Sequence, residues 1–351
     1  MFNPFYPKFF SHKGKVMNRI KRFSWFKMRR FLEVVSIIVS IGAIPHLASA
    51  CACGCGIFNL VVPGLPDMNY STTFSLQYDY MNQNETQHGS GLVSGGLNPD
   101  KQVETNFFNL FFSHRFDRDW GFMAMIPVWN RNFVTDNNGT PGVTDASQSV
   151  TPLLLSSNAT VLSDIRLTGE YMGFSDDMSI GIQFGLKLPT GPNDAGAYFQ
   201  GSPIMDQDTQ PGTGTTDTLL GAYKVGNLGP SSWFVRAMWQ HALYSFQGYR
   251  PGDSIDAAIG DQFHGIETAT SLIPILELHY QFRDYDQGGG DAEFGNADSG
   301  YSNFYLTPGL QDRIDSHLLA NGAIYIPLYR DENGYQQVAP YLLSFGVGYQ
   351  F

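Results

Sequence analysis

The chain has 351 residues, with 21 Lys+Arg against 32 Asp+Glu, a formal net charge of −11 and 14% aromatic residues. So acidic a balance excludes a nucleic-acid surface, which needs clustered Lys and Arg. A mean hydropathy of −0.18, with no apolar run near 18 residues beyond the leader, excludes a protein held in a membrane by helices.

Residues 1–50 read as a secretory leader. Met28-Arg29-Arg30, the apolar run 34–44 and Ala48-Ser49-Ala50 supply its charged, hydrophobic and small-residue zones. Residues 1–27 form a basic lead-in, and Ala50 is the expected last residue removed. Nine of the 21 basic residues and one of the 32 acidic ones fall in this leader. The remainder therefore carries a net charge of −19.

The next segment, 51–70, opens with Cys51-Ala52-Cys53-Gly54-Cys55-Gly56. Three readings stay open for it: a disulfide or spacer in an oxidising compartment, soft-metal binding of Cu(I) or Zn by Cys51, Cys53 and Cys55, or lipidation of Cys51. No cofactor is required by any other feature of the chain.

From residue 71 onward, period-two alternation dominates. Phe74, Leu76, Tyr78 and Tyr80 alternate with polar residues, as do Ile165, Leu167 and Tyr171 with Asp164, Arg166, Thr168 and Glu170. The pattern recurs in 178–188 and in 276–283, where Leu276, Leu278, Tyr280 and Phe282 oppose Glu277, His279, Gln281 and Arg283. Further strands are expected at 106–116, 119–129, 216–226, 231–241, 302–312 and 316–328. The last eleven residues put Tyr341, Leu343, Phe345, Val347, Tyr349 and Phe351 on one face and Ser344, Gly346, Gly348 and Gln350 on the other. A strand of that length crosses a bilayer at a tilt of about 45°. Lipid takes its aromatic face and a watery lumen takes the other.

The predicted architecture for 71–351 is thus all-β, a transmembrane antiparallel up-and-down β-barrel. Eleven strands are visible and single-chain bacterial barrels have even numbers, so about 12 are expected. The missing strand is sought in 57–68, in 263–273 or near 150–158. Polar segments at 82–102, 134–150, 189–215, 246–262 and 284–300 read as loops, and 174–177 as a tight turn. Trp120, Trp129, Trp233, Trp239, Tyr349 and Phe351 are candidates for interfacial girdles, with Tyr349 and Phe351 also serving as an assembly signal. The location implied is the outer membrane of a Gram-negative-type bacterium, with outer-membrane lipid and the barrel assembly machinery as partners.

Phe184-Gly185-Leu186-Lys187-Leu188-Pro189-Thr190-Gly191, followed by Gly212-Thr213-Gly214-Thr215-Thr216-Asp217-Thr218-Leu219-Leu220-Gly221-Ala222-Tyr223, resembles the strand, LPTG turn and GTG strand entry of the MetA-pathway phenol-degradation family of outer-membrane proteins. Leu306-Thr307-Pro308-Gly309-Leu310 and the last strand extend the resemblance loosely. It implies a transporter whose permeant is a small, apolar or aromatic molecule. The chain departs from the fatty-acid transporters in showing no hydrophobic plug segment at its amino terminus.

The inward face is the candidate site. Asp164, Arg166, Glu170, Lys187, Glu277, His279 and Arg283 share it, where charges of both signs either set pore selectivity or pair across strands as filling. Acidic residues around Gly288-Gly289-Gly290 read as a solvated loop, since their spacing does not match a calcium loop. There is no G-x-S-x-G elbow, H-E-x-x-H or Walker motif, so the chain is not read as an enzyme. His114 or His241 would be one member of any hydrolytic group on the outer wall, with no Ser to name beside either. The competing functions are small-molecule passage, a metal-linked role centred on the cysteines, and a structural surface barrel.

Overall fold

A computed structural model describes residues 72–136, 154–199, 202–265, 272–288 and 298–351. The leader, the cysteine segment and the 57–68 candidate lie outside the described residues. The strands are β1 (Thr72–Gln83), the short β2 (Glu85–Gly89) and β3 (Gly91–Leu92), β4 (Asp100–Arg115), β5 (Trp120–Asp136), β6 (Leu154–Leu162), β7 (Arg166–Tyr171) and β8 (Ile180–Lys187). They continue with the two-residue β9 (Tyr198–Phe199) and β10 (Ser202–Pro203), then β11 (Asp217–Leu228), β12 (Ser231–Ala242), β13 (Ser254–Phe263), β14 (Leu272–Arg283), β15 (Tyr301–Arg313), β16 (Leu318–Val338) and β17 (Leu342–Gln350).

Each long strand pairs antiparallel with the next, and β17 returns to pair with β1 from Thr73↔Gln350 to Met81↔Leu342. The sheet is therefore a closed barrel of twelve staves. β6 and β7 form one stave, because both pair with β5, Val128 opposite Leu162 and Met125 opposite Arg166. Two residues of β5 face three on the other side, so Ser163–Ile165 is a β-bulge that turns both Ser163 and Asp164 inward.

The alternation sorts side chains as a membrane barrel requires. Phe74, Leu110, Phe184, Leu186, Ile259, Leu276 and Phe345 are exposed on the outside, while Gln77, Asp79, Asn109, Lys187, Glu277 and His279 are buried on the inside. No described helix is long and apolar enough to cross a membrane. The strands do the crossing, and closure leaves no unpaired edge in lipid.

Three readings need correction. The segment 82–102, read as a loop, carries the end of β1 and the strand β2, which pairs with the far end of β16 from Val338↔Glu85 to Glu332↔Gly89. The twelfth stave is β13, inside the segment taken as a loop at 246–262. Its sequence, Ser-Ile-Asp-Ala-Ala-Ile-Gly-Asp-Gln-Phe, hides the alternation behind small residues, and pairing on both flanks overrides the weak local preference. Gly260 is there because a Cβ would sit 2.5 Å from the Phe234 ring. Trp129 is the third correction. It is buried inside the barrel, not in a girdle, because β5 runs on to Asp136 and the tryptophan falls on an inward position.

Candidate functional site: the lumen and its inward loop

The connection from β8 to β11 does not stand out in water; its later part folds into the barrel. Ala195 and Met205 pack with Val103, Phe133 and Ala159 on the inner wall of β4, β5 and β6. Thr209 and Thr215 are fully buried. Arg131, also fully buried, donates from Nε to Thr105 Oγ1 at 2.9 Å, donates to the Thr209 carbonyl, and lies 4.8 Å over the Trp129 ring.

The bulge and the LPTG and GTG motifs form the anchor of this loop. Thr190 Oγ1 accepts from Ile165 N–H at 2.9 Å and donates to the Ser163 carbonyl at 2.8 Å. The Ser163 hydroxyl donates to the Pro211 carbonyl. Gly191 and Gly212 meet backbone to backbone, and a Cβ on Gly212 would fall 2.1 Å from the Gly191 oxygen. No other residue fits that crossing.

Beneath the crossing sits the charged centre of the anchor. Lys187 Nζ lies 3.2 Å from Asp164 and 2.8 Å from Asp217, with all three side chains buried. Asp164 accepts from Gly191 N–H at 3.0 Å and from Thr213 N–H and Oγ1, each at 3.1 Å. Asp217 accepts from Thr215 Oγ1 at 2.6 Å and Gln240 Nε2 at 2.5 Å. A buried ion pair holds only when its remaining lone pairs are satisfied in this way.

The remaining predicted lumen residues all face inward, but they do not converge. Arg283 grips Asp286 in a fork of 2.7 and 2.8 Å, and Asp286 also accepts from Tyr249 OH and Gly252 N–H. That group ties the β12–β13 and β14–β15 connections to the end of β14, so Asp286, next to the glycines read from the sequence as a solvated loop, is buried instead. His279 meets Asp256 at 2.9 Å, and Glu277 lies 3.6 Å from Arg236. Glu170 sits toward the other end, 3.4 Å from Gln183. Arg166 lines a cavity of about 100 Å³ under the loop with Pro127, Trp129, Met238 and Gln281. Arg131, Asp217, Arg236, Asp256 and Asp286 were absent from the sequence-derived set.

The two histidines considered for hydrolysis are occupied. His241 Nδ1 lies 2.8 Å from Asp253, and its Nε2 is 3.0 Å from Arg250. Arg250 can only donate, so Nε2 is the acceptor and has no lone pair left for a hydroxyl nucleophile. His114 Nδ1 meets Thr72 Oγ1 at 2.9 Å, between the rings of Phe112 and Phe116.

A closed barrel with an apolar outer belt and a polar, loop-narrowed lumen defines an outer-membrane β-barrel. No protein-family model matches the sequence, and no curated protein matches it. Among solved structures the chain is similar to an outer membrane channel from Pseudomonas putida F1, with a TM-score of 0.56 at 12% identity over 82% of this chain and 97% of that one. Looser similarities join it to a toluene transporter of Ralstonia pickettii (TM-score 0.43, 11% identity, 81% of this chain and 90% of that one) and to a monoaromatic hydrocarbon channel (0.41, 9%, 80% and 89%). At such identities the likeness is one of fold.

Proposed function

We propose that this barrel passes small molecules across the outer membrane, with apolar or aromatic compounds as the preferred permeants, in the manner the LPTG and GTG resemblance implies. The observation that carries the reading is the division of the lumen. Most of the charges around the cavity are paired with one another, in Asp164–Lys187–Asp217, Arg283–Asp286, His279–Asp256 and Arg236–Glu277. The cavity under the loop retains the apolar surfaces of Pro127, Trp129 and Met238. Mutually neutralised ions offer little to a hydrated ion, while an apolar lining lowers the barrier for a weakly hydrated solute. The chemistry is passage and not catalysis.

Uptake into proteoliposomes, compared across sugars, amino acids and substituted benzenes of similar size, tests the reading. Faster entry of the benzenes than through protein-free bilayers is the expected result. Equal rates with and without protein for every solute would leave a structural surface barrel as the better account.

A further inference from the structure

We infer that Phe107, Trp129, Phe234, Tyr305 and Tyr325 form an aromatic septum across the lumen, and that these rings select the permeant. An apolar, ring-sized solute parts them; water and hydrated ions do not. The septum rests on the passage of small molecules proposed above and assigns its selectivity to named side chains.

The five rings come from β4, β5, β12, β15 and β16 and belong to one buried cluster, completed by smaller residues of β1, β13, β14 and β17. In the order of the staves β4 stands opposite β13 and β5 opposite β14, so the cluster takes in facing walls of the barrel. Phe107 is 1% exposed, Tyr325 0% and Phe234 3%. An inward ring on the wall of a water-filled lumen would show one face to that water. Rings buried this deeply have other side chains in its place, as in barrels narrow enough for side chains to fill. The lumen is therefore closed at this level by hydrocarbon.

The septum follows the cavity along the barrel. Phe234 and Tyr305 lie deeper on β12 and β15, away from the long connections, than Met238 and Tyr301, which line the cavity of about 100 Å³. Trp129 belongs to both the cavity wall and the septum. A solute that has reached the cavity meets the rings next.

Their contacts suit one class of solute. Phe107 meets Trp129 edge to face with centroids 5.0 Å apart, and Tyr305 meets Tyr325 in the same way at 6.3 Å. Such contacts are individually weak, and a passing benzene ring exchanges them for contacts of its own kind. Water would give up hydrogen bonds for carbon surface, which is how a hydrophobic constriction excludes it. The ionisable groups at this height open no polar route: His279 is held by Asp256 at 2.9 Å, Glu277 lies 3.6 Å from Arg236, and His279 and Glu277 are fully buried. Two of the rings are seated on the wall. Phe234 lies over Gly260, and Trp129 carries the Arg131 guanidinium 4.8 Å from its centroid. Phe107 and Tyr325 are the pair whose removal opens the septum with least disturbance to that seating.

Planar-bilayer conductance of the purified full chain in potassium chloride, with proteoliposome entry of benzyl alcohol and of arabinose, tests the septum. The wild type should speed entry of benzyl alcohol over protein-free vesicles while conducting ions and passing arabinose weakly. Phe107→Ala combined with Tyr325→Ala should raise conductance and arabinose entry by about tenfold or more, the change that about 1.4 kcal/mol off a barrier gives. Benzyl alcohol entry should change much less. Tyr325→Phe keeps the ring and should match the wild type; leakage equal to that of the Ala pair would put the barrier in the hydroxyl and overturn the septum. Heat-modifiable gel mobility shows whether the Ala pair folds, and Phe107→Leu, with a smaller rise expected, replaces it if it does not. A folded variant no leakier than the wild type overturns the septum, as does a wild type that passes arabinose as freely as benzyl alcohol, and both leave passage intact. No entry of any solute through the wild type or through either variant removes passage and the septum together.

Discussion

Replacing Lys187 with Met should destabilise the barrel by about 3 kcal/mol, at the lower end of the 3–5 kcal/mol measured when one partner of a buried ion pair is removed. The lower end applies because each orphaned carboxylate keeps other donors. Asp164 retains Gly191 and Thr213, and Asp217 retains Thr215 and Gln240. What is lost is the shared ammonium between two buried anions. The triple variant Lys187→Met, Asp164→Asn, Asp217→Asn should recover most of that loss, since it removes the unpaired charge as well as the pair. Urea unfolding in lipid vesicles, followed by heat-modifiable mobility and tryptophan emission, gives the free energies. A single variant within about 1 kcal/mol of wild type would place it among exposed ion pairs and refute the reasoning from burial.

Changing Arg166 and Arg283 to Glu should shift bilayer reversal potentials toward cations, less so at high salt. The Arg283 change should also lower stability by setting Glu against Asp286 at the site of the present fork. Deleting Phe351, whose N–H donates to the Thr72 carbonyl at 2.9 Å and whose ring meets Phe74 at 5.9 Å, should reduce insertion, read from surface proteolysis and heat-modifiable barrel yield. If Cys51, Cys53 and Cys55 bind a soft metal, purified protein lacking residues 1–50 should take up Cu(I) with a stoichiometry lost in a triple Ser variant; a diacylglycerol mass on Cys51 would decide for lipidation instead.

Much of the fold could be read wherever large residues line the outer face, because period two is conspicuous when Phe and Leu mark every second position, as in β1, β8, β14 and β17. It failed at β13, where Ala257 and Asp261 take outward positions and blur the pattern. The inward course of the β8–β11 connection left little trace, since a polar loop facing a polar lumen has the composition of one facing bulk water. Its signals were local: Ala195 and Met205, an apolar pair in a polar run, and the glycines at 191 and 212. Arg131 was hidden by ending β5 at residue 129, seven residues short of Asp136, and Asp256 by reading its strand as a loop. Arg236, alternating with the outward Val235, and Asp217, beside the already noted GTG entry, were legible and overlooked. Pairing partners could not be read at all, because register across the barrel decides which inward charges meet.

Every long stave but one zips to a neighbour that the ribosome has just made or is about to make. The exception is β17 with β1, whose partners Thr73 and Gln350 are separated by roughly 277 residues. Joining ends so distant costs on the order of 2–3 kcal/mol more in chain entropy than closing a hairpin of about a dozen residues. Hairpins can therefore accumulate quickly, while closure waits. Until it occurs, the sheet carries two raw edges bearing Phe74, Leu76, Phe345 and Val347, the kind of surface on which strands of separate copies add to one another. The kinetic hazard of this molecule is concentrated in its final nine-residue strand, and crowded, unassisted refolding should yield end-to-end oligomers before it yields misregistered barrels.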